Sequence, residues 1–110
     1  ILVGSYDMYR KIIYVIDIIF SPEDSIEWPH IYIRGCKGLK KKITDIQIKT
    51  LGIITYIGEW HTHPHESNCF LSSDDVKALE WQWDEMKKSG FPALMCIMAD
   101  NKCHDFYIKE

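Results

Sequence analysis

Apolar positions fall in short runs along most of the chain, and two stretches break into helical spacing. Residues 1–6 read as a strand. Lys11–Phe20, rich in Ile, Val and Tyr, reads as a second, well-buried strand. Ser21–Ser25 is a loop by composition, and Ile31–Arg34 is a short strand. Between Gly38 and Leu51 the apolar residues Leu39, Ile43, Ile46 and Leu51 sit near helical spacing. They predict an amphipathic helix with Gly52 close to its end. Ile53–Trp60 is the next strand, running straight into His61-Thr62-His63-Pro64, and His65–Leu71 is a loop. Ser72–Ser89 is predicted helical, with Val76, Leu79, Trp83 and Met86 on one face and Gly90 and Pro92 as stop signals. Pro92–Met98 and Cys103–Ile108 are strands joined by a turn over Asp100-Asn101-Lys102. Strands bracketing two helices predict an α/β domain, more strictly mixed α+β, with a central mixed sheet flanked by helices.

Length sharpens this to one domain over residues 1–110, without repeats or low-complexity segments. The opening Ile1-Leu2-Val3-Gly4 reads as the middle of a strand, so a truncated or processed N-terminus is expected. The net charge of −3 argues against a dedicated nucleic-acid binder. Residues 1–55 hold eight Lys/Arg against six Asp/Glu, and residues 56–110 hold five against ten. The acidic half suits a cation or a basic partner better than a phosphate backbone. The longest apolar stretch, Ile12–Phe20, is interrupted by Asp17 and falls well short of the ~20 residues of a membrane-spanning helix. Neither nucleic acid nor membrane is an expected partner. No two of Cys36, Cys69, Cys96 and Cys103 form a C-x-x-C pair. Reduced, structural thiols in a cytoplasmic protein are the expectation.

Candidate chemistry concentrates between residues 59 and 75. His61 and His63 are two apart at the end of a predicted strand, so both project from one face and can converge on one ion. Ser72-Ser73-Asp74-Asp75 opens a predicted helix and supplies a hydroxyl and a carboxylate. Two imidazoles, one carboxylate and an open position describe a catalytic rather than a structural zinc site. Ser72-x-x-Asp75 is also a helix capping box, and the two roles are compatible. His65-Glu66-x-x-Cys69 lacks the second histidine of a zincin helix, and the nucleobase-deaminase motifs are absent. Glu59 shares the strand face of the histidines. From i to i+4 along a strand is ~13 Å, so Glu59 cannot join both histidines as a direct ligand. His65 is a weak further ligand candidate. His30 and His104 read as structural, Trp60, Trp81 and Trp83 as core or helix-packing residues, and the Lys37, Lys40, Lys41, Lys42 cluster as a solvated face.

Gly58-Glu59-Trp60-His61-Thr62-His63-Pro64 followed by Cys69-Phe70-Leu71-Ser72-Ser73-Asp74-Asp75-Val76 resembles the JAMM/MPN metalloprotease family, most closely its short stand-alone bacterial members. Ile1 to Tyr6 and Gly90 to Met95 are similar to its first-strand motif and to the strand after its metal helix. The resemblance implies an MPN fold of cytidine-deaminase-like architecture and one catalytic Zn2+ held by His61, His63 and an aspartate. Asp75 is favoured because it stands at N3 when Ser72 is the N-cap. The interval from His63 to Asp74 is the family's usual one, and that to Asp75 is one residue longer, so Asp74 stays open. The resemblance further implies that Ser72 stabilises an oxyanion and that the general base is a glutamate upstream of Ile1. It implies cleavage after the C-terminal Gly of a ubiquitin-like modifier, alongside activating and conjugating enzymes in a bacterial conjugation or antiphage defence system. A non-catalytic MPN scaffold and a sulfur-carrier-processing metallohydrolase are the alternatives.

Overall fold

A computed structural model describes residues 1–28, 31–63, 68–100 and 102–110. Leu2–Asp7 (β1), Ile12–Ile18 (β2), Thr55–His63 (β5), Ala93–Ala99 (β6) and His104–Lys109 (β7) form one curled sheet in the order β2-β1-β5-β6-β7. Ile26–Trp28 (β3) and Ile31–Ile33 (β4) pair separately as an antiparallel ribbon. Leu39–Lys49 (α1) and Ser73–Met86 (α2) are the helices, and a single 3₁₀ turn over Lys87–Ser89 extends α2. This is a mixed α+β domain. Among the described residues no helix is long and apolar enough to cross a membrane.

One topological fact positions the site. All sheet neighbours are antiparallel except β5 and β6, which run parallel. Parallel neighbours need a crossover connection, and α2 supplies it. The N-terminus of α2 therefore lies near the C-terminal end of β5, where His61 and His63 stand.

Side-chain alternation sorts the core. Met95, Ile97 and Ala99 point from β6 towards α2 and cluster with Cys69 and Leu79. Ile1 and Val3 meet Leu39, with Ile43, Ile46 and Tyr56 packed around them under α1. Leu2, Ile57, Leu94 and Cys96 cluster on the opposite face of the sheet. Both helices thus pack on one face of the sheet. Fully burying a residue such as Ile97 contributes about 1.5–3 kcal/mol.

Three expectations change, one of them in part. β2 is not buried: it is an edge strand, and Ile12, Tyr14, Val15, Ile16 and Ile18 are each at least 40% exposed. An apolar run specifies a strand but not what covers it. On α2 the expected Leu79, Trp83 and Met86 do turn inward, Leu79 buried, Trp83 packed against the same core and Met86 half-buried, but Val76 turns outward and Trp81 is exposed. The polar residues Asp75 and Gln82 are buried on the helix as well. Lastly, Cys69 and Cys103 are joined as a disulfide, leaving Cys36 and Cys96 as thiols. Their proximity arises from the start of β7 lying beside the segment that enters α2, which sequence spacing does not reveal.

Candidate metal centre

β5 carries a bulge that sets the site's register. Leu2 faces Gly58 while Val3 faces Tyr56, so Ile57 is an extra residue. Beyond it Glu59, His61 and His63 pair with Met95, Ile97 and Ala99, on the face that meets α2. The bulge also puts Tyr56 and Glu59 on the same side. Close approach to β6 is needed here: a Cβ on Gly58 would lie 2.5 Å from the Leu94 carbonyl oxygen.

α2 is fixed by its cap. The Ser72 hydroxyl oxygen accepts from the Asp75 backbone N–H at 3.1 Å, and the Ser72 N–H donates to Asp75 Oδ2 at 2.8 Å. This reciprocal capping box holds the Asp75 carboxylate at the helix entrance. Asp74 and Asp75 both lie in the first turn, where the helix dipole favours negative charge.

The three side chains converge. His61 Nε2 lies 2.8 Å from Asp75 Oδ1, and His63 Nε2 lies 2.9 Å from Asp75 Oδ2. The two Nε2 atoms are 3.3 Å apart. One ligand atom from each of His61, His63 and Asp75 fits within 4.8 Å of the others. Asp75 is only 7% exposed, whereas Asp74 is exposed to solvent. The structure thus brings Asp75, and not Asp74, to the histidines. His65 and His30 lie outside the described residues.

Electrostatics suit a cation. Burial pushes the His61 imidazole below its ordinary 6.5, although the Asp75 carboxylate works in the opposite direction. Burial would raise the Asp75 carboxyl, but the Ser72 N–H and the two imidazoles outweigh it and hold it below its ordinary 3.8. At neutral pH the site therefore offers a carboxylate and a neutral His61 ring with a lone pair to donate. No family model, curated protein or solved structure matches the chain. The site is read from its own chemistry. Two imidazole nitrogens and one carboxylate oxygen gathered in this way could hold a metal ion, and the donor types are compatible with zinc.

Glu59 stands apart from the triad. Its Oε1 accepts from the Tyr56 hydroxyl at 2.9 Å and pairs with Arg34 at 3.3 Å. Burial and then the Glu59 charge push the Tyr56 phenol well above its ordinary range. Gln82, buried on α2, donates through Nε2 to the Leu94 carbonyl at 3.1 Å and ties the helix to β6. Neither Arg34 nor Tyr56 nor Gln82 announces itself in the sequence: Gln82 is one of several polar residues of α2, and nothing in its spacing marks it as the buried one. Ser72 is at the N-cap, on the exposed side of the carboxylate it orients.

Proposed function

We propose that this chain is a zinc-dependent isopeptidase of the JAMM type, which cleaves the amide bond after the C-terminal glycine of a ubiquitin-like modifier. The observation that carries the reading is the convergence of His61, His63 and Asp75 into one group that could hold a metal ion. In this reading a further position on the ion is kept for water or a substrate carbonyl. The His-x-His-Pro and Ser-x-x-Asp pattern supplies the reaction class.

His61 and His63 would present their Nε2 lone pairs to the ion from one strand face. Asp75, oriented by the Ser72 N–H, would contribute the third donor and offset positive charge. When bound, zinc supplies Lewis acidity and lowers the pKa of a coordinated water towards ~7. The Ser72 hydroxyl stands at the helix entrance, where it can donate to the oxygen of a carbonyl under attack. Loss of one such donor typically lowers kcat by about 10²–10³-fold. The reading assigns the role of proton acceptor to none of the described residues. Glu59 is engaged by Tyr56 and Arg34 and is not given that role.

The test is incubation of the full-length natural chain with a modifier–peptide fusion, with zinc content measured in parallel. Cleavage after the terminal glycine, abolished by chelator and restored by zinc, is the expected result. A zinc-loaded chain that leaves every such fusion intact would transfer the reading to the non-catalytic scaffold.

A further inference from the structure

We infer that the Cys69–Cys103 pair is a redox-addressed tether that sets the metal affinity of the centre. The inference rests on the metal-centre reading above and adds a site for a dithiol reductant. The two donor groups of the centre belong to different bodies. His61 and His63 ride on β5, locked by its register into the sheet. Asp75 rides on α2, whose entry is set by Ser72. Cys69 lies three residues before that cap, and its buried side chain packs with Leu79, Met95 and Ile97. Cys103 immediately precedes β7, which pairs with β6 along its length. The disulfide therefore joins the sheet to the segment that carries the third donor, across 34 residues of sequence. The Cα atoms are 6.2 Å apart, within the range disulfides span. A second anchor lies at the same residue: the Tyr107 hydroxyl on β7 donates to the Cys69 carbonyl at 2.8 Å.

Access is unequal across the bond. Cys69 is 4% exposed, whereas Cys103 is half-buried, so attack enters at the Cys103 sulfur. The first thiolate of the dithiol bonds to Cys103 Sγ, and the electron pair of the broken S–S bond leaves on Cys69 Sγ. The second thiolate then attacks the mixed disulfide and releases Cys103 as a thiolate and the reductant as its own disulfide. Two electrons pass to the chain, and each released thiolate takes up a proton. What remains is the Tyr107 anchor and apolar packing, which hold the α2 entry less tightly against the β5 histidines. A partner that only orients a ligand is typically worth 10–100-fold in metal affinity, so a loss of about 10-fold is expected on reduction.

The experiment compares one preparation of the full-length chain in three states: oxidised, reduced with a dithiol and desalted anaerobically, and reoxidised. Zinc affinity is measured by competition with a chromophoric chelator. Alkylation of the denatured chain with mass mapping counts the thiols. Cys36 and Cys96 alone should react in the oxidised state, and all four cysteines after reduction. Zinc binding should weaken about 10-fold on reduction and recover on reoxidation. The Cys103→Ser variant, which keeps the buried Cys69, should match the reduced state. Equal zinc affinity in the oxidised and reduced chains overturns the tether and leaves the metal centre standing. Four reactive cysteines in air-oxidised protein also overturn it. A chain that binds zinc in neither state overturns the metal-centre reading and the tether with it.

Discussion

Asp75 does more than one thing at once. Its carboxylate closes the capping box with Ser72, meets both imidazole nitrogens and stays ionised despite its burial. Replacing it with asparagine keeps the shape but removes the charge, so Asp75→Asn should lose its zinc at purification. Asp74→Asn, on the exposed side of the same turn, should keep it. Metal analysis of the two purified variants decides, and retained zinc in Asp75→Asn would reassign the third donor. His61 carries a second expectation. Its folded-state pKa is depressed, so as the pH falls below 6.5 the unfolded chain takes up the proton first. The metal-free protein should therefore lose stability from pH 6.5 downward until the folded ring also titrates. Thermal melts of chelator-treated protein across that range would show it. A His61→Asn variant with the same pH profile as the parent would refute it.

At the scale of the element, the site depends on how α2 begins and how β5 passes β6. Ser72→Ala removes the acceptor for the Asp75 N–H, and loss of an N-cap costs about 1 kcal/mol. Ser72→Thr keeps an acceptor in place and should recover most of it. Urea denaturation of the pair measures the difference, and equal midpoints for the alanine variant and the parent would show that the cap is idle. Gly58 is the second dependence. An added Cβ there meets the Leu94 carbonyl oxygen at 2.5 Å and the Leu94 Cβ at 2.9 Å. Backbone must shift to admit it, so Gly58→Ala should destabilise by roughly 1–3 kcal/mol, the usual range for overpacking. The same denaturation assay reads it. The elements also show where sequence reading stops. Both helices and the strands of the large sheet were legible from their apolar spacing and apolar runs, which mark an element whether or not it is buried. β3, Ile26-Glu27-Trp28, went unread because it follows a loop-like segment, whereas the equally short β4 was legible as Ile31-Tyr32-Ile33. The buried face of α2 was read in part: Leu79, Trp83 and Met86 were legible, whereas Asp75 and Gln82 are polar residues turned inward by the partners they find there.

For the whole molecule, the proposed ion would link metal binding to folding. An ion that binds only the folded chain stabilises it by about 2.7 kcal/mol when free metal stands ~100-fold above Kd. For a domain of this size that is a rise in Tm of roughly 10 °C. Calorimetry with zinc and with chelator should show that shift in the parent and none in Asp75→Asn. A parent whose Tm ignores zinc would count against a centre built into the fold. The sheet has a second whole-molecule feature in β2, an edge strand that exposes large apolar side chains.

Sequence alone determined the ingredients of the centre. Two histidines at strand spacing share a face because successive side chains alternate. A serine three residues before an aspartate caps a helix because the first backbone N–H groups need acceptors. Those are local rules, and they hold wherever the chain folds. Tertiary structure decided what local rules cannot reach. It selected Asp75 over its neighbour, because only one of two consecutive helical residues can face the sheet. It joined Cys69 to Cys103, left β2 uncovered at an edge, and drew Arg34 and Tyr56 onto Glu59. Each of these depends on which elements lie side by side, and for the centre itself that is settled by the parallel pairing of β5 with β6 and the crossover it demands.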